Sequence, residues 1–476
     1  MSLCQSFVFI YFCTSNYISY LRRLKKVLII SYYFPPSGGP GVQRVLKFVK
    51  YLPEFGWQPI VLTVKDGDFP ARDESLLKEV PKDVPVYRTD IFEPYDLYRK
   101  LTGKSKHTAV DVNNINEGSG GKLSEKLAEF IRATFFIPDA RRGWKGHAVK
   151  EGKKIIDEHS PDIIFSSSPP YTCALIAMEL KKYAEKKKNK RIPWISDFRD
   201  AWTDYLTTPN RWFLPKKIDK HYERTTLDKA DAVTIVASGM KDDFERKYPD
   251  VSAKTDFVLL RNGYDSTDYG NADAPKNKNE KFTMVYTGSM YGKRNPYYLL
   301  DTISSLVQQN KVDINKIRFI FVGRMGSDIL DYINRSPLRE AIELIPYVPH
   351  HESIDYLMKA DAMLLLIDED KYSKMILSGK VFEYLGASAI TGKPVFAITG
   401  EGEARDLLVE TGAGVINPHH HPEILTENYL KLYNGFFENN NAILPVSDTK
   451  AIAGYERKLL TKKLTEVFDK YVKSTK

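Results

Sequence analysis

From Lys25 onward, short runs of aliphatic residues alternate with longer stretches whose apolar positions recur every three or four residues. The run KVLIIS (residues 26–31) is β-branched and unbroken, which predicts a buried strand. Behind it Val45, Leu46, Val49 and Leu52 share one helical face. Further strands are predicted at QPIVLTV (58–64), DIIFSS (162–167), IPWISD (192–197), AVTIVA (232–237) and DFVLLRNG (256–263), with helical segments between them. Continuous apolar strands joined by helical crossovers imply a parallel sheet covered on both faces.

The pattern breaks at residues 263–281, which are polar, rich in Gly, Asn and Asp, and without periodicity, as a linker is. It then restarts with FTMVYTG (282–288), a helix around 297–308, RFIFVGR (318–324), DAMLLLID (361–368), a helix through KVFEYLG (380–386) and PVFAIT (394–399). The fold class is therefore α/β with two Rossmann-like, doubly wound domains. The division is an extension over 1–23, a first domain over 24–262, a linker over 263–281, a second domain over 282–448, and a Lys- and Glu-rich helix within 449–476 with no strand after it. Two such domains place the carboxyl ends of both sheets at one cleft, where open α/β sheets bind ligands.

Two stretches stand outside this scheme. Residues 97–121 are polar and read as an excursion from the fold. After them Leu123, Leu127, Phe130, Ile131 and Phe135 form an apolar helical stripe flanked by Lys122, Lys126 and Arg132, ending at Pro138. That stripe suits core packing or docking on a membrane surface. The first 23 residues are apolar but broken by Gln5, Ser6, Thr14, Ser15 and Asn16, and their positive charges follow the apolar part, unlike a cleaved signal peptide. They read as a dispensable extension or an anchor. No run approaches about 20 uninterrupted apolar residues, so no transmembrane helix is predicted.

Length adds the expectation of two or three domains for 476 residues. The net charge of +9 suggests anionic contacts, such as phosphorylated ligands or an acidic membrane face, although it is spread along the chain. Cys4, Cys13 and Cys173 lack metal-ligand spacing and imply a reducing compartment, hence a cytoplasmic location.

Candidate chemistry gathers at strand ends. ISYYFPPSGGPGVQR (30–44) contains G-P-G-V-Q-R, a dinucleotide fingerprint with Arg44 where the last glycine belongs. That glycine serves close helix–strand packing, so a nicotinamide site is disfavoured. Gly39 and Gly41 would instead admit a ligand at one lip of the cleft, with Arg44 either reaching an anionic donor or acceptor or bracing the loop. In YTGSMYGKRNP, Gly288 and Gly292 let the backbone approach a ligand, and Lys293 and Arg294 place cations at a helix start, a natural phosphate site. FVGRMGSD repeats the pattern with Gly323 and Arg324. Lys380 and Glu383 share a helical face, Lys suited to a phosphate and Glu to ribose hydroxyls, or else to each other as a surface pair. In SDFRDAW, Asp197, Arg199 and Asp200 would face the cleft, where a carboxylate could take a hydroxyl proton, or form a structural Arg–Asp lock. Ser166 to Ser168 would contact an acceptor or cap a helix. The adjacent histidines 350–351 and 419–421 cannot converge on one ion, and the basic run 181–191 lacks interleaved aromatic residues, so neither metal nor nucleic acid is expected.

Taken together, YTG…GKR, FVGR, IPYVPHHESIDYLMKADAMLLL, SGKVFEYLGA…GKPV and ETGAGV resemble the donor-nucleotide domain of glycosyltransferase family 4 and its relatives of the GT-B fold. ISYYFPPSGGPGVQR, DIIFSSSPPYT, PWISDFRDAW and LLRNGYDSTDY follow in that family's order. The resemblance implies that Glu383, second acid of an E-x7-E motif, holds the donor ribose. Lys293 or Arg294 would bind the pyrophosphate, which Gly39 and Gly41 let the first loop approach, and Tyr347 and Val348 would meet the base through their backbone. The final helix would cross back to the first domain. Two positions depart from the pattern: Met375 stands where the first acid belongs, and Ser289 where a basic residue is usual.

The expected function is transfer of a hexosyl or N-acetylhexosaminyl unit, with retention, from a nucleotide-sugar to a saccharide or lipid-linked acceptor in surface-polysaccharide assembly. Lys293, Arg294 and Lys380 would stabilise the leaving diphosphate without a metal or other cofactor. The alternatives are a nucleotide-sugar 2-epimerase on the same double fold, or a non-catalytic nucleotide-binding protein.

Overall fold

The computed structural model describes residues 24–69, 71–92, 130–205, 208–270, 279–368, 375–438, 445 and 447–473. The expectations for 1–23 and 97–121, and for Leu123 and Leu127 of the apolar stripe, lie outside them.

The first domain is built on β1 (Lys25–Ile30), β2 (Trp57–Val64), β3 (Val86–Thr89), β4 (Ile163–Ser168), β5 (Trp194–Phe198), β6 (Ala232–Ile235) and β7 (Phe257–Leu259). They form one parallel sheet in the order β3-β2-β1-β4-β5-β6-β7. The second has β8 (Phe282–Thr287), β9 (Ile317–Val322), β10 (Ile342–Ile345), β11 (Ala362–Leu366), β12 (Val395–Ile398) and β13 (Gly414–Asn417), parallel in the order β10-β9-β8-β11-β12-β13. In each sheet the order reverses beside its first strand, and there the chain leaving β1 or β8 opens a crevice.

The register explains the sequence pattern. Strand β1 lies between β2 and β4, with Leu28 and Ile30 buried in one core cluster and Val27 and Ile29 in another, so it is covered on both faces and is apolar from Val27 to Ile30. Helices α1 (Pro40–Tyr51), α2 (Thr172–Lys188), α3 (Phe213–Lys229), α4 (Tyr297–Gln308), α5 (His350–Met358) and α6 (Gly379–Thr391) flank the sheets. Helix α1 starts sharply because Gly39, at φ 92°, turns the chain in a conformation L side chains avoid, and Pro40 is tolerated in the first turn.

The last helix, α7 (Arg457–Lys473), packs on the first domain. Leu460, Leu464, Phe468 and Val472 fall on one stripe, and the Phe468 ring lies 5.1 Å from Trp57 and 5.7 Å from Phe165. The single helix expected within 449–476 is interrupted: Thr449–Ala453 form a short helix, and a turn precedes Arg457. That turn pairs with the outgoing crossing, Tyr264 N donating to Tyr455 O at 3.2 Å and Arg457 N to Tyr264 O at 2.7 Å.

The start of the expected linker is built into the fold. Ser266–Tyr269 form a 3-10 turn capped by Asp265, and the buried Asp265 carboxylate accepts from Tyr51 OH at 2.7 Å and pairs with Lys47 at 2.9 Å. Residues 271–278 lie outside the description. Among the described residues no helix is long and apolar enough to cross a membrane.

Candidate active site

Strands β8 and β9 end side by side in glycines. Gly288 (φ 110°) and Gly323 (φ 130°) hold conformations that only glycine adopts readily, and a Cβ on Gly323 would overlap the Gly288 carbonyl. The two backbones form a floor without side chains. Lys380, at the start of α6, lies against that floor: a Cβ on Gly288 would overlap its ammonium. Its Nζ donates to Tyr286 OH at 3.0 Å and sits 4.7 Å from that ring's centre, while Tyr286 OH donates to Ser289 O at 2.9 Å. Burial, reinforced by the Arg294 charge, pushes the Lys380 ammonium down to about 7. Arg294 pairs with Asp368 at 3.0 Å, at the end of β11, and Lys293 is exposed beside it. Arg324 stacks its guanidinium 5.9 Å from the Tyr347 ring centre.

One turn further along α6, Glu383 meets His350 at the start of α5, His350 Nε2 standing 3.1 Å from Glu383 Oε1. Burial alone would raise the Glu383 carboxyl, but the His350 bond and the His350, Arg457 and Lys380 charges hold it below its ordinary value. The same pair lifts His350 above the ordinary imidazole value against its own burial. Lys380 and Glu383 therefore share a face without pairing to each other. Val348, half-buried, packs against the core just before α5.

The second domain touches the first across the cleft. Tyr347 OH lies against Gly38, where a side chain would displace it, and His350 N donates to Asp73 at 3.2 Å. Tyr269 OH donates to the Glu383 carbonyl at 2.6 Å. On another flank, Glu403 accepts from Ser238 N at 2.6 Å and pairs with Arg261 at 2.8 Å.

On the first domain two expectations need correction. Arg44 is 1 % exposed and Asp197 0 %, and they bond to each other at 2.7 and 3.0 Å. The rest of Arg44 is taken by the carbonyls of Leu260 and Arg261, both at 2.9 Å, and Asp197 also accepts from Ser167 at 2.8 Å and Thr234 at 2.7 Å. Asp197 has no lone pair turned to the cleft for an acceptor proton, and Arg44 cannot reach a ligand. Together they lock α1 to β4, β5, β6 and the chain after β7.

Arg199 and Asp200, next along the chain, are only half-buried. Arg199 holds the first loop, donating to Gly41 O at 2.8 Å and to Pro169 O, and a Cβ on Gly41 would crowd the guanidinium and the Tyr33 ring. So Gly41 admits Arg199. Burial raises the Asp200 carboxyl above its ordinary value, only partly offset by Arg199. Ser168 Oγ is buried with no hydrogen-bond partner, and Ser168 does not cap α2. Around this lip the structure adds residues the sequence did not single out. Arg141 lies 5.2 Å from the Tyr32 ring centre and bonds Tyr33, while Asp139 accepts from Thr172 N and Oγ1, both at 2.9 Å.

Sequence reasoning missed Tyr286, His350, Asp368 and Arg141 as site residues. His350 alone leaves a local signal, a polar residue opening a helix, and its histidine neighbour draws attention to metal binding instead. Among the described residues one acidic trio, Glu79, Asp265 and Asp268, clusters closely enough for an ion, but the Lys47 ammonium is already bonded to all three.

Comparison with known proteins fits this geometry. Residues 38–263 match the sequence model of the glycosyltransferase 4-like domain. No curated protein sequence matches the chain significantly. Among solved structures, a sucrose-phosphate synthase from Thermosynechococcus elongatus superposes with a TM-score of 0.57 at 12% identity, over 94% of this chain and 100% of that one. A glycosyltransferase from Rickettsia africae does so at 0.55 and 14% identity, over 94% and 98%. A point mutant of TarM from S. aureus, solved with fondaparinux, α-GlcNAc-glycerol and UDP, does so at 0.55 and 11% identity, over 93% and 99%. Residues 38–263 are thus similar to a glycosyltransferase 4-like domain, and the two-domain architecture is that of the GT-B fold.

Proposed function

We propose that the protein transfers a hexosyl or N-acetylhexosaminyl unit, with retention, from a nucleotide-sugar to a saccharide or lipid-linked saccharide in cell-surface polysaccharide assembly. The observation that carries this reading is the bare glycine floor of Gly288 and Gly323 with the Lys380 ammonium against it. A diphosphate laid there meets Lys380 and the Lys293 and Arg294 charges at the mouth of the loop. Glu383, kept ionised beside His350, is placed to accept from ribose hydroxyls, and the backbone at Tyr347 and Val348 to meet the base.

In the transfer, the bond from the anomeric carbon to the diphosphate oxygen breaks and a bond to the acceptor hydroxyl forms. The cations stabilise the charge that develops on the diphosphate, so no metal or other cofactor enters the step. The acceptor proton passes to a group on the first domain, and Asp200, with its raised carboxyl, is the group assigned to receive it. Arg199 positions the lip, and Ser168 stands by for an acceptor hydroxyl. The excess of positive charge suits peripheral contact with the inner, acidic face of the cytoplasmic membrane.

The test is a thermal-shift screen of UDP-, GDP-, ADP- and CMP-sugars followed by transfer assays with the donor that binds. One nucleotide class should raise the melting temperature, and Lys380→Met should abolish the rise. If no nucleotide acts, or the variant responds as the wild type does, the donor site is wrongly placed.

A further inference from the structure

On the first domain's outer surface six large apolar side chains stand together exposed, uncovered by the described residues: Phe130, Phe135, Trp212, Phe213, Leu214 and Ile218. Phe213 is 77% exposed and Phe135 68%, far beyond the scattered exposure that needs no explanation. Two elements build the patch and are fastened to each other. Residues 130–135 are helical, and Trp212 Nε1, just before α3, donates to Thr134 Oγ1 at 3.0 Å. Beneath, Arg211 donates to the carbonyls of Ala133, Phe136 and Pro138 at 2.7 to 2.9 Å and is held by the buried Asp219 at 2.8 Å. The apolar tips are thus presented by a braced scaffold.

Among the described residues the charges around the patch are mainly basic. Lys216 and Lys217 on α3, with Arg142 beside Tyr222, are exposed, and Lys220 and Arg132 are half-buried. The acids of the same turns of α3, Asp219 and Glu223, point inward and are buried. Asp204 is the acid at this rim, and Lys216 and Lys220 pair with it. Aromatic tips within a basic rim match the boundary between acyl chains and anionic headgroups. A protein partner would need acids placed to meet each cation, whereas an anionic bilayer meets them in any register.

We infer that this face docks the protein on an anionic lipid surface, with Phe213 and Leu214 entering the headgroup–acyl boundary and the basic rim resting on the lipid phosphates. The inference deepens the peripheral, lipid-linked part of the proposed function. The turn at Pro138 to Arg141 leads directly from the patch to Asp139 and to Arg141 beside Tyr33, so a membrane-borne acceptor would reach the cleft lip from this side.

The test is vesicle co-sedimentation of the full chain, with phosphatidylcholine alone and with equimolar phosphatidylcholine and phosphatidylglycerol. The wild type should partition onto the anionic vesicles only, and release as salt rises. Phe213→Ser with Leu214→Ser should weaken partition by about tenfold or more, and Lys217→Glu by severalfold. Melting temperature and nucleotide binding, measured on the same variants, should stay at wild-type values. Absence of partition by the wild type, or full partition by the Phe213/Leu214 variant, overturns the inference. So does a concentration-dependent dimer that the variant abolishes, because the face would then be a self-interface. Nucleotide binding is read separately, so either outcome leaves the donor-site assignment to its own test.

Discussion

The Arg44–Asp197 pair offers the sharpest test, because a residue at a dinucleotide-type loop is easily taken for a ligand. Replacing Arg44 with Met leaves the Asp197 carboxylate buried with two hydroxyl donors and no counter-charge, and leaves two carbonyls unpaired. Breaking a buried pair from one side costs about 3–5 kcal/mol. Asp197→Asn keeps the shape and strands the Arg44 charge, so its loss should fall in the same range. The double variant should lose little more than either single one, giving a coupling energy close to one single loss, about 3 kcal/mol. Urea denaturation followed by tryptophan fluorescence reads this, since Trp194 and Trp202 are buried in the same domain. Burial alone would raise the Asp197 carboxyl, but Arg44 and the hydroxyls hold it below its ordinary value. The pair's contribution is therefore complete above the unfolded carboxyl value of about 4 and disappears as pH falls through the lower folded one. Wild-type stability in Arg44→Met, together with lost nucleotide or acceptor binding, would refute the reasoning and return Arg44 to the ligand.

Other outcomes follow from the second domain. Since the Lys380 ammonium titrates near 7 in the free protein, affinity for a nucleoside diphosphate should fall as pH rises above that value, by up to about tenfold per unit. Lys380→Arg should flatten the profile from pH about 7 to 9, measured by calorimetry; an unchanged slope counts against a phosphate role. Gly288→Ala places a Cβ on the Lys380 ammonium at a φ of 110° and should abolish nucleotide-induced thermal stabilisation, with a loss of stability of about 1–3 kcal/mol. His350→Ala removes the partner that keeps Glu383 ionised and oriented, and should weaken nucleotide binding by about tenfold while the wild-type fold is retained by circular dichroism.

Much of the architecture was legible because a strand covered on both faces is apolar through its centre, as residues 27–30, 284–286 and 362–366 are. The edge strand Val86–Thr89 escaped for the converse reason: it pairs on one side only and mixes polar with apolar residues. At the site, Gly288, Gly323, Lys380 and Glu383 could be singled out because glycine and charge at a strand end are local signals. The partners of those residues were not. Asp197 lies 153 positions from Arg44, and no local pattern says which carboxylate a given guanidinium will meet after folding. The local Arg199–Asp200 neighbours suggested a lock within SDFRDAW, while the actual lock reaches back to α1.

The two chain crossings between the domains run side by side. Tyr264 bridges to Glu456 in parallel, the flanking backbone groups bond each other, and a side chain on Gly263 would strike the Tyr455 carbonyl. Two separated tethers would resist rotation in most directions and leave each free to twist. Here they form a single short ribbon at Tyr264 and Tyr455–Arg457, so a parting of the cleft lips at Gly38 and Tyr347 would turn about that one line. The ribbon thus acts as the common hinge line of the two domains, and a substitution as small as Gly263→Ala would disturb it from far outside the cleft.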